Sequence, residues 1–341
     1  MLEGRDSYRS RSVRDSKNSL LIPEEFLDAK KLWTLQGANQ NSSLRSSDSD
    51  LLEKEPTVLV FWLKFQKFFA NYLSNLRVLR GRNMFSNVIE LYRCRALIMS
   101  LVLKEVKLRY LGSFLGFLWT FLNPLLLMGV YTIVFSIFFR IKVENYPVFL
   151  FSALIPWICF SHSILEGANS IIKGGNLITR VLFPAQVLPT VTVFSNMINF
   201  VFSLPILFIF LLLFKIQIGI ALIALPIVMI IQAVFTMGLV LMVSALNVHF
   251  RDIQHILGNL IMMWFFTTPI VYPSTSIPVR LKFITYINPM ATLIKAYRDI
   301  LFYRQFPNWM LLGGILCLGF LVFFLGNLVF NRYKESFPEE V

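Results

Sequence analysis

The sequence predicts an all-α membrane protein: six transmembrane helices, an N-terminal amphipathic interface helix, and re-entrant helices before the last span. Three observations lead there. Only 15% of the 341 residues are charged against 56% hydrophobic, and mean hydropathy is +0.65; soluble domains carry roughly 25% charged residues. Uncharged runs cover 117–139, 181–214, 216–248 and 305–331, each longer than the roughly 20 apolar residues that cross a hydrocarbon core about 30 Å thick. The net charge of +13 is uneven, with 19 Lys+Arg against 12 Asp+Glu in residues 1–116. A basic surplus ahead of the first span fits contact with an anionic membrane face. It comes without the zinc spacing, helix-turn-helix or basic-aromatic repeat of a nucleic-acid binder.

From the N-terminus, MLEGRDSYRSRSVRDSKNSL is polar and mixed in charge and no apolar run follows it, so no signal peptide is expected. Residues 1–90 read as a cytoplasmic extension. NQNSSLRSSDSD (39–50) is a flexible linker by composition, and VLVFWLKFQKFFANYLSNLRVLR (58–80) is amphipathic, with Lys and Arg among aromatic residues. Residues 91–335 form the transmembrane domain and 336–341 a cytoplasmic tail. Its first element, YRCRALIMSLVLKEVKLRYLG (92–112), is read as an interfacial helix. At 100° per residue, Arg93, Lys104 and Lys107 fall within about 60° of one another, and their long stems can snorkel to the surface.

The spans follow at about 117–139, 147–166, 188–214, 219–246, 256–272 and 309–330. Lys215 and Gln217 mark a tight turn between the third and fourth. MMWFFTTPIVYP (262–273) closes the fifth with two prolines, and FITYINPMATLIKAYRDILFYRQF (283–306) is apolar but too short for another pair of spans. Re-entrant helices fit it, and irregular backbone at membrane depth needs protein or water for its polar groups. An even number of spans puts both termini on one side, and the basic N-terminal region favours the cytoplasm. The inner segments then hold Lys104, Lys107, Arg109, Lys173, Arg180, Arg251, Arg332 and Lys334. Five basic residues in the outer 273–309 region run against that rule.

Catalysis has little support. The chain contains no H-E-x-x-H, G-x-S-x-G or Walker A sequence. Cys94, Cys159 and Cys317 are scattered, and His249 and His255 lie six residues apart with no third ligand type beside them. His162 reads as a core histidine. Glu166 is the one acid close to a span, at its inner end, which weakens ion coupling. Aromatic residues are abundant, with 34 Phe. Most belong to packing and interfacial belts, while Trp119, Tyr131, Trp157, Phe160, Trp264 and Tyr272 are candidates to line a passage.

The stretch LGSFLGFLWTFLNPLLLMGVYTIVFSIFF (111–139) resembles the first span of the membrane subunits of type-2 ABC exporters of polysaccharide. FSALIPWICFSHSILEGANSIIKGGNLITRVLFPAQVLP (151–189), LNVHFRDIQHILGNLIMMWFFTTPIVYP (246–273) and YINPMATLIKAYRDILF (286–302) continue the resemblance in order. The O-antigen, capsule and teichoic-acid exporter permeases are the nearest group; the 90-residue extension departs from their compact form. The resemblance implies a bacterial inner-membrane homodimer that passes a polyprenyl-diphosphate-linked glycan. ATP and Mg would be bound by two separate ATP-binding cassette subunits, this chain holding no cofactor and no metal. It places Lys173, Arg180, His249, Arg251 and Asp252 at the ATPase contact, and Arg93, Lys104, Lys107 and Arg109 on a gate helix meeting the lipid pyrophosphate. Export of a small lipid or drug, and a membrane-embedded polyprenyl-phosphate glycan transferase, stay open beside it, the latter lacking its expected acidic cluster.

Overall fold

The computed structural model describes residues 91–109, 114–175 and 184–340. The expected extension with its amphipathic segment 58–80, and Arg180, lie outside these residues. The described chain is helical throughout: α1 Arg95–Leu108, α2 Trp119–Thr132, α3 Tyr146–Ala168, α4 Ser170–Lys173, α5 Val187–Leu213, α6 Leu225–His249, α7 Ile253–Thr267, α8 Lys282–Ile287, α9 Pro289–Leu301, α10 Trp309–Tyr333 and α11 Phe337–Glu340. A 3-10 turn leads into α2, and a π-helix over Ile133–Phe138 prolongs it.

Five helical stretches are long and apolar enough to cross a membrane: Gly116–Phe138, Tyr146–Ala168, Val187–Leu213, Ile220–His249 and Trp309–Tyr333. Where the fifth of six spans is expected, α7 has 15 residues, or about 22 Å at 1.5 Å per residue. Its early stop has a local cause. Pro269 bars its predecessor from helical backbone, and Thr268 is extended at φ −95°, ψ 131°. Two short helices, α8 and α9, follow before α10.

The end of the bundle marked by Ala168, Val187, His249 and Tyr333 is called proximal here, and the opposite end distal. Helix α3 is the axis, buried along 83% of its apolar window and packed by α2, α5, α6, α7 and α9. By contrast α2 and α10 bury 11% and 17% of theirs. Helices apolar on all sides with so little protein cover are suited to hydrocarbon.

Glycine sets how α10 attaches. A Cβ on Gly326 would lie 2.1 Å from the Gly238 carbonyl oxygen, and one on Gly238 would lie 2.4 Å from the Phe323 nitrogen. The backbones of α6 and α10 therefore touch, as small residues allow between membrane helices. Gly167 makes room on α3 for a side chain of α6, where a Cβ would lie 2.4 Å from Val240 Cγ1. Buried polar groups cross-link the core. Gln232 Nε2 donates to the Pro156 carbonyl at 2.8 Å, and Tyr297 Oη donates to Gln232 Oε1 at 2.7 Å. Three helices are joined through one amide.

The short distal unit is tied down with particular care. Asn288 caps α9, its Oδ1 accepting from the backbone N–H groups of Met290 (3.0 Å) and Ala291 (3.3 Å). The same oxygen accepts from Trp264 Nε1 at 2.8 Å, while Asn288 Nδ2 donates to Thr268 Oγ1 at 2.8 Å. One face of α9 (Leu293, Ile294, Tyr297, Ile300, Leu301) is wholly buried.

Candidate functional site

Polar chemistry collects at the proximal end, where α1 lies against α5 through Val102, Val187 and Val191. Arg109 closes α1 and reaches across to α3. Its Nη2 donates to Glu166 Oε2 at 2.5 Å and to Glu105 Oε1 at 3.3 Å, and its Nη1 donates to Asn196 Oδ1 at 3.0 Å. Asn196 Nδ2 in turn donates to Glu166 Oε2 at 2.9 Å. Side-chain exposure is 22% for Arg109 and 36% for Glu166, so this is a half-wet ion pair rather than a sealed one. Burial holds the Glu105 carboxyl above its ordinary pKa, with the Arg109 charge pulling the other way.

The pair borders two cavities. One, of about 530 Å³, is lined by Lys104, Glu105, Ser170, Lys173 and Thr192 besides Arg109 and Glu166. The other, of about 350 Å³, lies deeper between α2, α3 and α5, with Trp119, Asn123, His162 and Ser203 on its walls. Arg109 and Glu166 border both. Both volumes are in the range of small-ligand sites. His162, expected in the core, is instead open to the deeper cavity, because its place on α3 faces the gap left by α1 and α5.

Lys104 and Lys107 are exposed on α1, as is Arg93 just before it. The candidate coupling residues divide. Lys173 at the end of α4, and Arg251 and Asp252 in the turn between α6 and α7, are exposed. His249, two residues before Arg251 at the end of α6, points inward: its Nε2 is 3.0 Å from Ser336 Oγ and its ring packs edge-on against Tyr333 at 4.6 Å. It fastens the C-terminal segment to the bundle. Asn247 Nδ2 donates to the Ala168 carbonyl at 3.0 Å and to Asn169 Oδ1 at 3.2 Å. The α3–α4 junction and the end of α6 are thereby linked.

Of the aromatic candidates, Trp119 lines the deeper cavity. Trp157 and Phe160 are 4% and 0% exposed, so within this chain they are packing residues and form no wall. Phe265 stacks on Tyr131 (5.5 Å) and meets Trp157 (5.7 Å), while Phe160 meets Trp264 edge-on at 5.1 Å. Tyr272 Oη donates to the Phe266 carbonyl at 2.7 Å, fixing the break after α7.

Arg298 was passed over in the sequence except as part of the charge anomaly of 273–309. It is 5% exposed on α9. Its Nη1 donates to the Pro269 carbonyl at 2.5 Å, its Nη2 donates to the Ile270 carbonyl, and its Nε donates to the Phe149 carbonyl at 3.4 Å. The guanidinium also sits 3.7 Å over the Phe149 ring. A buried arginine normally marks function or a partner; here two of the partners are carbonyls freed by the break at Thr268–Val271, and the third is the Phe149 carbonyl of α3.

Among the described residues, no group of three His, Cys, Asp or Glu is placed to hold a metal ion. Residues 96–302 match the family model described as ABC-2 type transporter. The chain is 40% identical over 268 residues to the O-antigen export system permease protein RfbA of Myxococcus xanthus, which covers 76% of this chain and all of that relative. It is 32% identical over 237 residues to the protein of the same name from Klebsiella pneumoniae, covering 69% of this chain and 91% of that relative. The helical bundle and these matches agree: the chain belongs to the ABC-2 type transporter family, as a multi-pass, non-catalytic permease subunit homologous to the O-antigen export permeases.

Proposed function

We propose that the chain is the channel-forming subunit of an ATP-driven exporter that moves an O-antigen-like, polyprenyl-diphosphate-linked polysaccharide across the bacterial inner membrane. Two copies form the path, and two ATP-binding cassette subunits dock at the proximal end, which faces the cytoplasm with both termini. One observation supports this most: exposed Lys173, Arg251 and Asp252 occupy turns that Asn247 links directly to α3 and α6. A push on those turns reaches the spans without passing through a flexible joint. Exposed ion pairs contribute about 1 kcal/mol or less, so docking draws on helix packing as well. The basic face of α1 lies beside the same end and suits the diphosphate.

Co-expression with the ATPase subunits tests the reading. A stable complex whose ATP hydrolysis depends on the permease, together with loss of surface glycan on deleting the permease, is the expected result. Arg251→Asp combined with Asp252→Arg should weaken that coupling while the permease still accumulates. Absence of any complex, or unchanged surface glycan after deletion, contradicts the assignment.

A further inference from the structure

We infer that Glu166, assisted by Glu105, is the specificity-determining residue of the gate. It is an internal carboxylate that occupies Arg109 and yields only to a head group carrying more than one negative charge. The inference rests on the cargo class proposed above and adds the means of selection.

Three of the five N–H groups of Arg109 are taken, two on Nη2 by Glu166 and Glu105 and one on Nη1 by Asn196, so neither two-pronged edge of the guanidinium is wholly open. A phosphate oxygen that enters the 530 Å³ cavity therefore meets no free fork of donors. It meets Lys104 and Lys173, which line that cavity and form no ion pair with a described residue. Counting Lys104, Lys173 and Arg109 against Glu105 and Glu166 leaves a single positive charge around the cavity. A head group with one negative charge balances that excess through the lysines and leaves the pair with Glu166 shut.

A diphosphate differs in charge. Both head groups offer paired oxygens that match the planar guanidinium, but the diphosphate brings at least one further negative charge once the lysines are balanced. It can replace Glu166 on Arg109, where a monoanion cannot. Rejecting a competitor with a built-in rival is a recognised route to specificity, and the inner membrane surface is crowded with anionic phospholipids. Arg109 and Glu166 also border the deeper 350 Å³ cavity, so parting them changes the boundary of both spaces at once. Recognition and opening are then one event.

The test uses the full permease–ATPase complex in nanodiscs, with polyprenyl diphosphate, phosphatidylglycerol and soluble inorganic pyrophosphate as probes. Wild type should prefer polyprenyl diphosphate strongly over phosphatidylglycerol. Glu166→Gln should bind phosphatidylglycerol about tenfold more tightly, and the preference should fall by a similar factor. The combination Glu105→Gln, Arg109→Glu and Glu166→Arg rebuilds an α1–α3 ion pair with its polarity reversed. It should keep the thermal stability of wild type and lose diphosphate binding, which a purely structural pair would not. Unchanged phosphatidylglycerol affinity in Glu166→Gln, or normal diphosphate binding by the exchanged variant, overturns the inference alone. Wild type that binds no diphosphate overturns the cargo class with it. Inorganic pyrophosphate bound as tightly as the lipid form would assign the site to a free anion and overturn the lipid reading.

Discussion

Two arginines show how the ends of this bundle differ. Arg298, at the distal end, is buried and faces no carboxylate; backbone carbonyls and the Phe149 ring hold it. Arg109, at the proximal end, is half-wet, faces two carboxylates, and borders two cavities. Carbonyls of the same chain cannot leave without unfolding the break they belong to, so Arg298 is a permanent clamp. Carboxylates on separate helices can be exchanged for another anion, so Arg109 is a contact that can open. One residue type serves as a rivet at one end and a latch at the other, and the partner chemistry decides which.

The largest effect should come from breaking the rivet. Arg298→Met leaves the buried Pro269 and Ile270 carbonyls without their donor, at about 1–3 kcal/mol each, while the Phe149 carbonyl keeps the Ser152 hydroxyl. The variant should lose most folded protein in detergent, read as the fraction eluting as a single species after mild heating. Arg298→Lys should fare little better, because an ammonium cannot span three acceptors in a fork. A stable Arg298→Met protein that still exports would erase the contrast between the two ends.

A smaller effect sharpens it. His249 belongs with the anchoring groups, although it sits in the same turn as exposed Arg251 and Asp252. His249→Phe keeps the aromatic contacts to Tyr333 and loses one hydrogen bond to Ser336, at about 0.5–1.5 kcal/mol. ATPase coupling should stay near wild type while the melting temperature drops slightly. The smallest effect concerns the distal turn after α5, where Lys215 adopts a left-handed backbone with φ 55°. Lys215→Gly relieves that strain, and the melting temperature should rise in line with about 0.5–1 kcal/mol.

Much of this architecture was legible in the residues. Uncharged runs such as 181–214 and 216–248 announce spans because hydrocarbon tolerates little else, and Pro269 announces the end of α7. The length of that helix was not legible, since hydropathy continues through 268–272 after the helix has stopped. The amphipathic pattern found the basic face of α1 but not the carboxylate that neutralises Arg109. Glu166 lies 57 residues away, and only the packing of α1 on α5 brings it within reach. Arg298 showed itself as a breach of the charge bias; its carbonyl partners have no residue code at all. The resemblance groups His249 with Arg251, and the end of α6 between them separates an inward side chain from an outward one.

Transport itself is the most direct test. The permease and its ATPase partners would be reconstituted in sealed vesicles, and a fluorescent polyprenyl-diphosphate-linked glycan followed by its access to a membrane-impermeant glycosidase on the far side. The account predicts protected glycan that becomes cleavable only when permease, ATPase and ATP are all present. Glycan that stays on the loading side while ATP is hydrolysed in the coupled complex, or that crosses equally well without ATP, would contradict it.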